Sequence, residues 1–83
     1  MQEVVMAVSI DKRSTSAAAV QETLTKYGEM IQFRLGMHDL HIGQNNETGR
    51  ILLQAAGEEE KIQALEKELT ALDLVKVQAM VLE

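Results

Sequence analysis

The chain contains no cysteine and no proline among its 83 residues. Without cysteine, disulfides, thiolate metal sites and thiol nucleophiles are excluded, which fits a reducing compartment. No apolar run approaches the roughly 18 residues of a membrane span, and Met1-Gln2-Glu3 is not the basic start of a signal peptide. A cytoplasmic protein without membrane contact is expected. Basic clusters are also missing beyond Lys12-Arg13, and the net charge is −5, so a phosphate backbone would be repelled. Direct nucleic-acid binding is not expected. No Ser/His/Asp set, nucleophile elbow, phosphate loop or pair of catalytic carboxylates can be assembled from the spacing. The expectation is a protein that is not an enzyme and needs no cofactor.

What remains is a regular alternation of strand and helix signals. Glu3 to Ile10 carries apolar residues on both faces, Val4, Met6, Val8 and Ile10 on one and Val5 and Ala7 with Ser9 on the other, as a central strand does. Ala17, Val20, Leu24 and Tyr27 then step at helical spacing, and Gly28 is a natural stop. Ile31, Phe33, Leu35 and Met37 alternate as a second strand, in which Gly36 suggests a bulge or a close backbone approach. The turn formers between Gly43 and Gly49 predict an exposed, mobile connection between the second and third strands. Arg50 to Ala56 reads as a strand and Glu58 to Leu72 as a helix with Ile62, Leu65, Leu69 and Leu72 on one stripe. Val75 to Leu82 closes the chain as a strand, with Val75, Val77, Ala79 and Val81 on one face.

The two halves correspond position by position. Met6, Val8 and Ile10 match Ile51, Leu53 and Ala55; Ala17, Val20, Leu24 and Tyr27 match Ile62, Leu65, Leu69 and Leu72. After a one-residue shortening, Ile31, Phe33, Leu35 and Met37 match Val75, Val77, Ala79 and Val81. Two such units predict a single α+β domain over residues 1–83, a ferredoxin-like βαββαβ sandwich. Right-handed crossovers put both helices on one face of a four-stranded antiparallel sheet, with the first and third strands central. By alternation, Val5, Ala7, Leu52, Ala56, Met80 and Leu82 fall on the other face. An apolar patch of this kind marks an interface. The partner inferred from it is a second copy of the chain, giving a homodimer or a tetramer.

Three stretches are candidates for chemistry. His38, Asp39 and His41 include both histidines, and a metal would need them to converge with a further ligand. Residues three apart on a strand point to opposite faces, so a turn would be required; two ordinary polar residues at a strand end are the simpler reading. Lys12, Arg13, Ser14 and Thr15 sit where the first strand meets the first helix. A carboxylate or phosphate held there by backbone N–H groups and hydroxyls is one reading, with Arg34 as a further anion contact. Plain N-capping by Ser14, Thr15 or Ser16 is the other. Glu58-Glu59-Glu60 opens a helix, where negative charge is favourable by itself.

The runs Ile31-Gln-Phe-Arg-Leu-Gly36, Gly49-Arg-Ile-Leu-Leu53, Leu65 with Leu69 and Leu72, and Val75-Lys-Val77 carry a family resemblance. They resemble the iron-only hydrogenase system regulators, small stand-alone proteins similar to the ACT domain and to the C-terminal regulatory domain of the nickel-responsive repressor. The resemblance spans nearly the whole chain. It implies a ferredoxin-like fold, oligomerisation through the sheet and a small-molecule ligand between subunits. The repressor's histidine-and-cysteine set is not reproduced, and Lys12 to Thr15 stand where ACT domains place a glycine. Three readings follow: a ligand-sensing regulatory homo-oligomer, an oligomerisation or adaptor module without a ligand, or a metal-binding regulator using His38, Asp39 and His41. A regulator lacking a DNA-binding segment would act through a separate DNA-binding or enzyme partner.

Overall fold

The computed structural model describes the backbone at positions 1–11, 13–38 and 48–82, with side chains throughout except at Arg13, Ser14, Met37 and His38. The element order is β1 (Gln2–Ile10), α1 (Arg13–Lys26), β2 (Ile31–His38), β3 (Gly49–Gly57), α2 (Glu59–Ala71) and β4 (Val75–Leu82). The strands form one antiparallel sheet in the order β2-β3-β1-β4, so β1 and β3 are central. This is the expected βαββαβ ferredoxin-like arrangement. The connection expected between Gly43 and Gly49 lies outside the described residues up to position 47.

The core forms where the inward side chains of the central strands meet the helices. Val4, Met6, Val8 and Ile10 on β1 and Ile51, Leu53 and Ala55 on β3 are buried together with Val20 and Leu24 of α1 and Ile62, Leu65 and Leu69 of α2. Each Val, Leu, Ile and Met side chain of this set contributes about 1.5–3 kcal/mol by leaving water. Tyr27 and Leu72 pack against the cluster from the helix ends, as their matching positions predict. In α2, Glu58 is the N-cap residue and makes no side-chain capping bond, while Glu59 and Glu60 occupy the first turn. Their charge favours the helix through its dipole, and Glu59 also accepts a bond from the Gln63 amide at 3.2 Å.

The first half departs from expectation at two places. The hydroxyl residues Ser14, Thr15 and Ser16 do not precede α1; they lie within it. Ser16 is buried, and its hydroxyl donates to the carbonyl of Asp73 at 2.7 Å. Beside it, the N–H of Asp11 donates to the carbonyl of Leu74 at 2.9 Å. Leu74 reaches this position with a left-handed φ of 62°, a conformation that costs a side-chain-bearing residue about 1–2 kcal/mol. Together these bonds tie the α2–β4 turn to the end of β1.

The second departure is in β2. Ile31 pairs with Ala55, but Phe33 pairs with Gln54, so Gln32 is an extra residue and the strand is bulged there. The bulge reverses the alternation. Ile31 faces the helices, whereas Phe33 and Leu35 face away from them and are 53% and 49% exposed. The expectation that Phe33 and Leu35 share the face of Ile31 is therefore corrected, and the Met37 side chain expected with them lies outside the described residues. Gly36 does not mark the bulge or a close approach, since a Cβ built on it would meet nothing within 4 Å.

Candidate functional site

The register turns the open face of the sheet, the one without helices, into rows that cross the strands. Phe33, Gln54, Val5 and Met80 form one row, and Leu35, Leu52, Ala7 and Gln78 the next. Beyond them Arg50, Ser9 and Lys76 are directly opposed on β3, β1 and β4. At the other end Ala56 and Leu82 flank Glu3. All six expected interface positions, Val5, Ala7, Leu52, Ala56, Met80 and Leu82, thus lie on this face. Met80 is 61% and Leu52 37% exposed. Sequence alternation did not find Phe33 and Leu35 here, because only the bulge places them.

A hollow of about 290 Å³ opens on the same face, lined by Ala7, Ser9, Arg50, Leu52, Lys76 and Gln78. Its origin is steric. The central strand carries two small side chains in succession on this face, Ala7 and Ser9, and larger ones stand on both flanking strands. Among the described residues the one ion pair joins Lys26 and Glu68 on the helix side. Arg50 and Lys76 therefore bracket the hollow without a carboxylate partner among those residues. Shared parity with Leu52, Met80 and Val5 was the available sequence signal for Arg50, Lys76 and Ser9.

The other candidates lie largely outside the described residues. Lys12 lies outside the described residues, and Arg13 and Ser14 are placed by their backbone alone, in the first turn of α1. Thr15 is exposed in the same turn. After the bulge Arg34 faces the helices, and its guanidinium donates to the side-chain oxygen of Gln21, further along α1. His38 is placed only as the last residue of β2, and Asp39 and His41 lie outside the described residues. Among the described residues no group of three His, Cys, Asp or Glu side chains could hold a metal ion. No helix among them is long and apolar enough to cross a membrane.

The perturbed ionisable groups lie between the helices. The Tyr27 hydroxyl donates to Glu68, and Lys26 Nζ donates to Glu68 Oε1 at 2.9 Å. The bond from Tyr27, then that from Lys26, holds the Glu68 carboxyl below the usual carboxylate range. Conversely, the bond to Glu68 raises both the Tyr27 phenol and the Lys26 ammonium. This exposed clasp joins α1 to α2.

No protein-family model matches the chain, and no curated protein matches it in sequence. Solved structures do match it. An uncharacterized protein from Thermotoga maritima superposes with a TM-score of 0.88 at 21% identity, covering 99% of this chain and 98% of that one. The 5-chloro-2-hydroxyhydroquinone dehydrochlorinase of Burkholderia phenoliruptrix, solved with 2,5-dihydroxybenzoquinone, has a TM-score of 0.54 at 16% identity, covering 90% of each chain. A dimeric ferredoxin-like protein of unknown function from Thermobifida fusca has a TM-score of 0.51 at 13% identity, covering 96% of this chain and 92% of that one. These similarities are of architecture, and they establish that the chain has the ferredoxin-like fold.

Proposed function

We propose that this chain is a regulatory, small-ligand-binding module that works as a homo-oligomer, with two copies meeting across the open face of the sheet. The carrying observation is the exposure of Phe33, Leu35, Leu52 and Met80 together on a side that no helix covers. Contiguous exposed apolar surface of this kind marks an interaction site. A second copy fits it in size. Four strands about 4.8 Å apart and about 28 Å long present roughly 500 Å² in plan. Side-chain relief raises the accessible area toward the roughly 800 Å² that each partner of a standard interface buries. A chain this short buries only about 60% of its unfolded surface when alone, so association adds stability that it otherwise lacks. The similar ferredoxin-like protein described as dimeric favours the same reading.

In this reading the chain binds its ligand and does not transform it, and it acts on transcription or on an enzyme through a separate partner protein. The resemblance to the iron-only hydrogenase system regulators, which implies oligomerisation through the sheet, supports the same reading. Sedimentation equilibrium of the wild type and of Met80→Lys tests the proposal. The wild type is expected to be a dimer or larger, and Met80→Lys a folded monomer, because the lysine would be buried unpaired at the seam. A wild type that sediments as one chain at high concentration refutes it. A thermal-shift screen over small molecules separates the adaptor reading, since a ligand bound only by the folded state raises the melting temperature.

A further inference from the structure

We propose that the hollow between Arg50, Ser9 and Lys76 is a binding site for a small organic acid, an oxyanion carried on a short apolar body. The inference names the ligand class for the binding role proposed above, and it rests on that reading only for the cover that a second copy would supply. Ser9 pairs directly with Arg50 on one side and with Lys76 on the other. The two cations therefore leave the sheet about 10 Å apart, with a hydroxyl between them. Like charges at this spacing, about one Debye length at physiological salt, repel each other weakly. Here they stand on a protein of net charge −5, and neither has a carboxylate partner among the described residues. An oxyanion between them relieves the repulsion, accepting charge-assisted bonds from both sides and one from Ser9.

The rest of the hollow is not suited to a bare ion. Ala7 and Leu52 continue its floor away from the cations, and Gln78 closes the far side. Its volume of about 290 Å³ is close to the lower end of small-molecule pockets, about 300 Å³. A ligand the size of benzoate suits it, with the charged end at Arg50 and Lys76 and the apolar end over Ala7 and Leu52.

The test titrates the ¹⁵N-labelled protein with benzoate, with its neutral isostere benzamide, and with inorganic phosphate. Benzoate is expected to shift the amides of residues 7–9, 50–52 and 76–78 saturably, benzamide to bind at least about tenfold more weakly, and phosphate to leave those of 7 and 52 unmoved. Raising NaCl from about 20 mM to about 500 mM weakens benzoate binding, because the Debye length shrinks. Arg50→Gln and Lys76→Gln each weaken it by about tenfold. Ala7→Leu fills the hollow, leaves both charges in place and abolishes binding. These positions are exposed or half-buried, so the variants are expected to melt with the wild type, which circular dichroism checks.

Equal binding of benzoate and benzamide, or benzoate shifts unchanged in Arg50→Gln and in Ala7→Leu, overturns the assignment. So does saturable phosphate binding without benzoate binding, which would mark a site for inorganic anions. Sedimentation of the same samples separates this from the assembly. A dimer that binds no benzoate refutes the site alone. Benzoate binding by a wild type that stays monomeric refutes the seam and leaves the site standing.

Discussion

The two faces of the sheet are built from the same four strands and have opposite fates. On the helix side the central strands place Val4, Met6 and Val8 against Ile51, Leu53 and Ala55, and α1 and α2 seal them from water. On the open side the same strands place Val5 and Ala7 against Gln54 and Leu52, with nothing above them in a single chain. One face therefore holds the fold together, and the other is available for an occupant. The difference also explains where polar groups sit. Ser16 and the Glu68 clasp secure contacts between elements on the helix side, while Arg50, Ser9 and Lys76 face the hollow.

Substitutions can sharpen or break this contrast. The largest effect is expected on the sealed side. Leu65→Ala should cost about 3 kcal/mol in a urea titration, because it removes a fully buried side chain and leaves a cavity. A loss below about 1 kcal/mol would mean that the helix layer is loosely packed. Ser16→Ala comes next, at about 1 kcal/mol, for the lost bond to Asp73 that holds the α2–β4 turn. Met80→Ala on the open side should change the stability of dilute protein by less than about 1 kcal/mol while raising the dissociation constant of the assembly. A stability loss equal to that of Leu65→Ala would erase the distinction between the faces.

The smallest effect concerns pH. The Glu68 carboxyl is held low by Tyr27 and Lys26, so its contribution is present above the unfolded-state value and fades as pH falls through the folded one. Tyr27 and Lys26 are raised, so theirs is present below their unfolded values and fades as pH rises through the folded ones. Glu68→Gln should therefore flatten both the acid and the alkaline limbs of the stability profile. Because the groups are exposed, the change is a slope and not a loss of folding. Melting temperatures taken across the pH range check it.

In the second half of the chain the elements and their faces were legible, although Val81 on the helix side is 52% exposed, and in the first half only in part. In β4 strict alternation from Val75 to Leu82 assigns every side chain to the correct face, with Val77 directly opposite Val8. In β2 the same reasoning failed after Ile31, because Gln32 is an inserted residue and nothing in its type announces a bulge. The resulting errors are coupled. Phe33 and Leu35 moved to the open face, and Arg34 moved to the helix side and met Gln21. Ser16 was misread for a similar reason. A hydroxyl near a helix start suggests a cap, and its acceptor, the Asp73 carbonyl, lies 57 positions away in the chain.

Periodicity by itself determined the two βαβ units and the apolar character of both faces of β1, and the crossover rule added the central placement of β1 and β3. Those follow from short-range geometry, since 2-residue and 3.6-residue repeats fix which side chains share a side. Only the tertiary structure decided which strand slips and which charges become neighbours. Arg50, Ser9 and Lys76 belong to three separate strands, and long-range register, with two small side chains on the central one, makes them a single site.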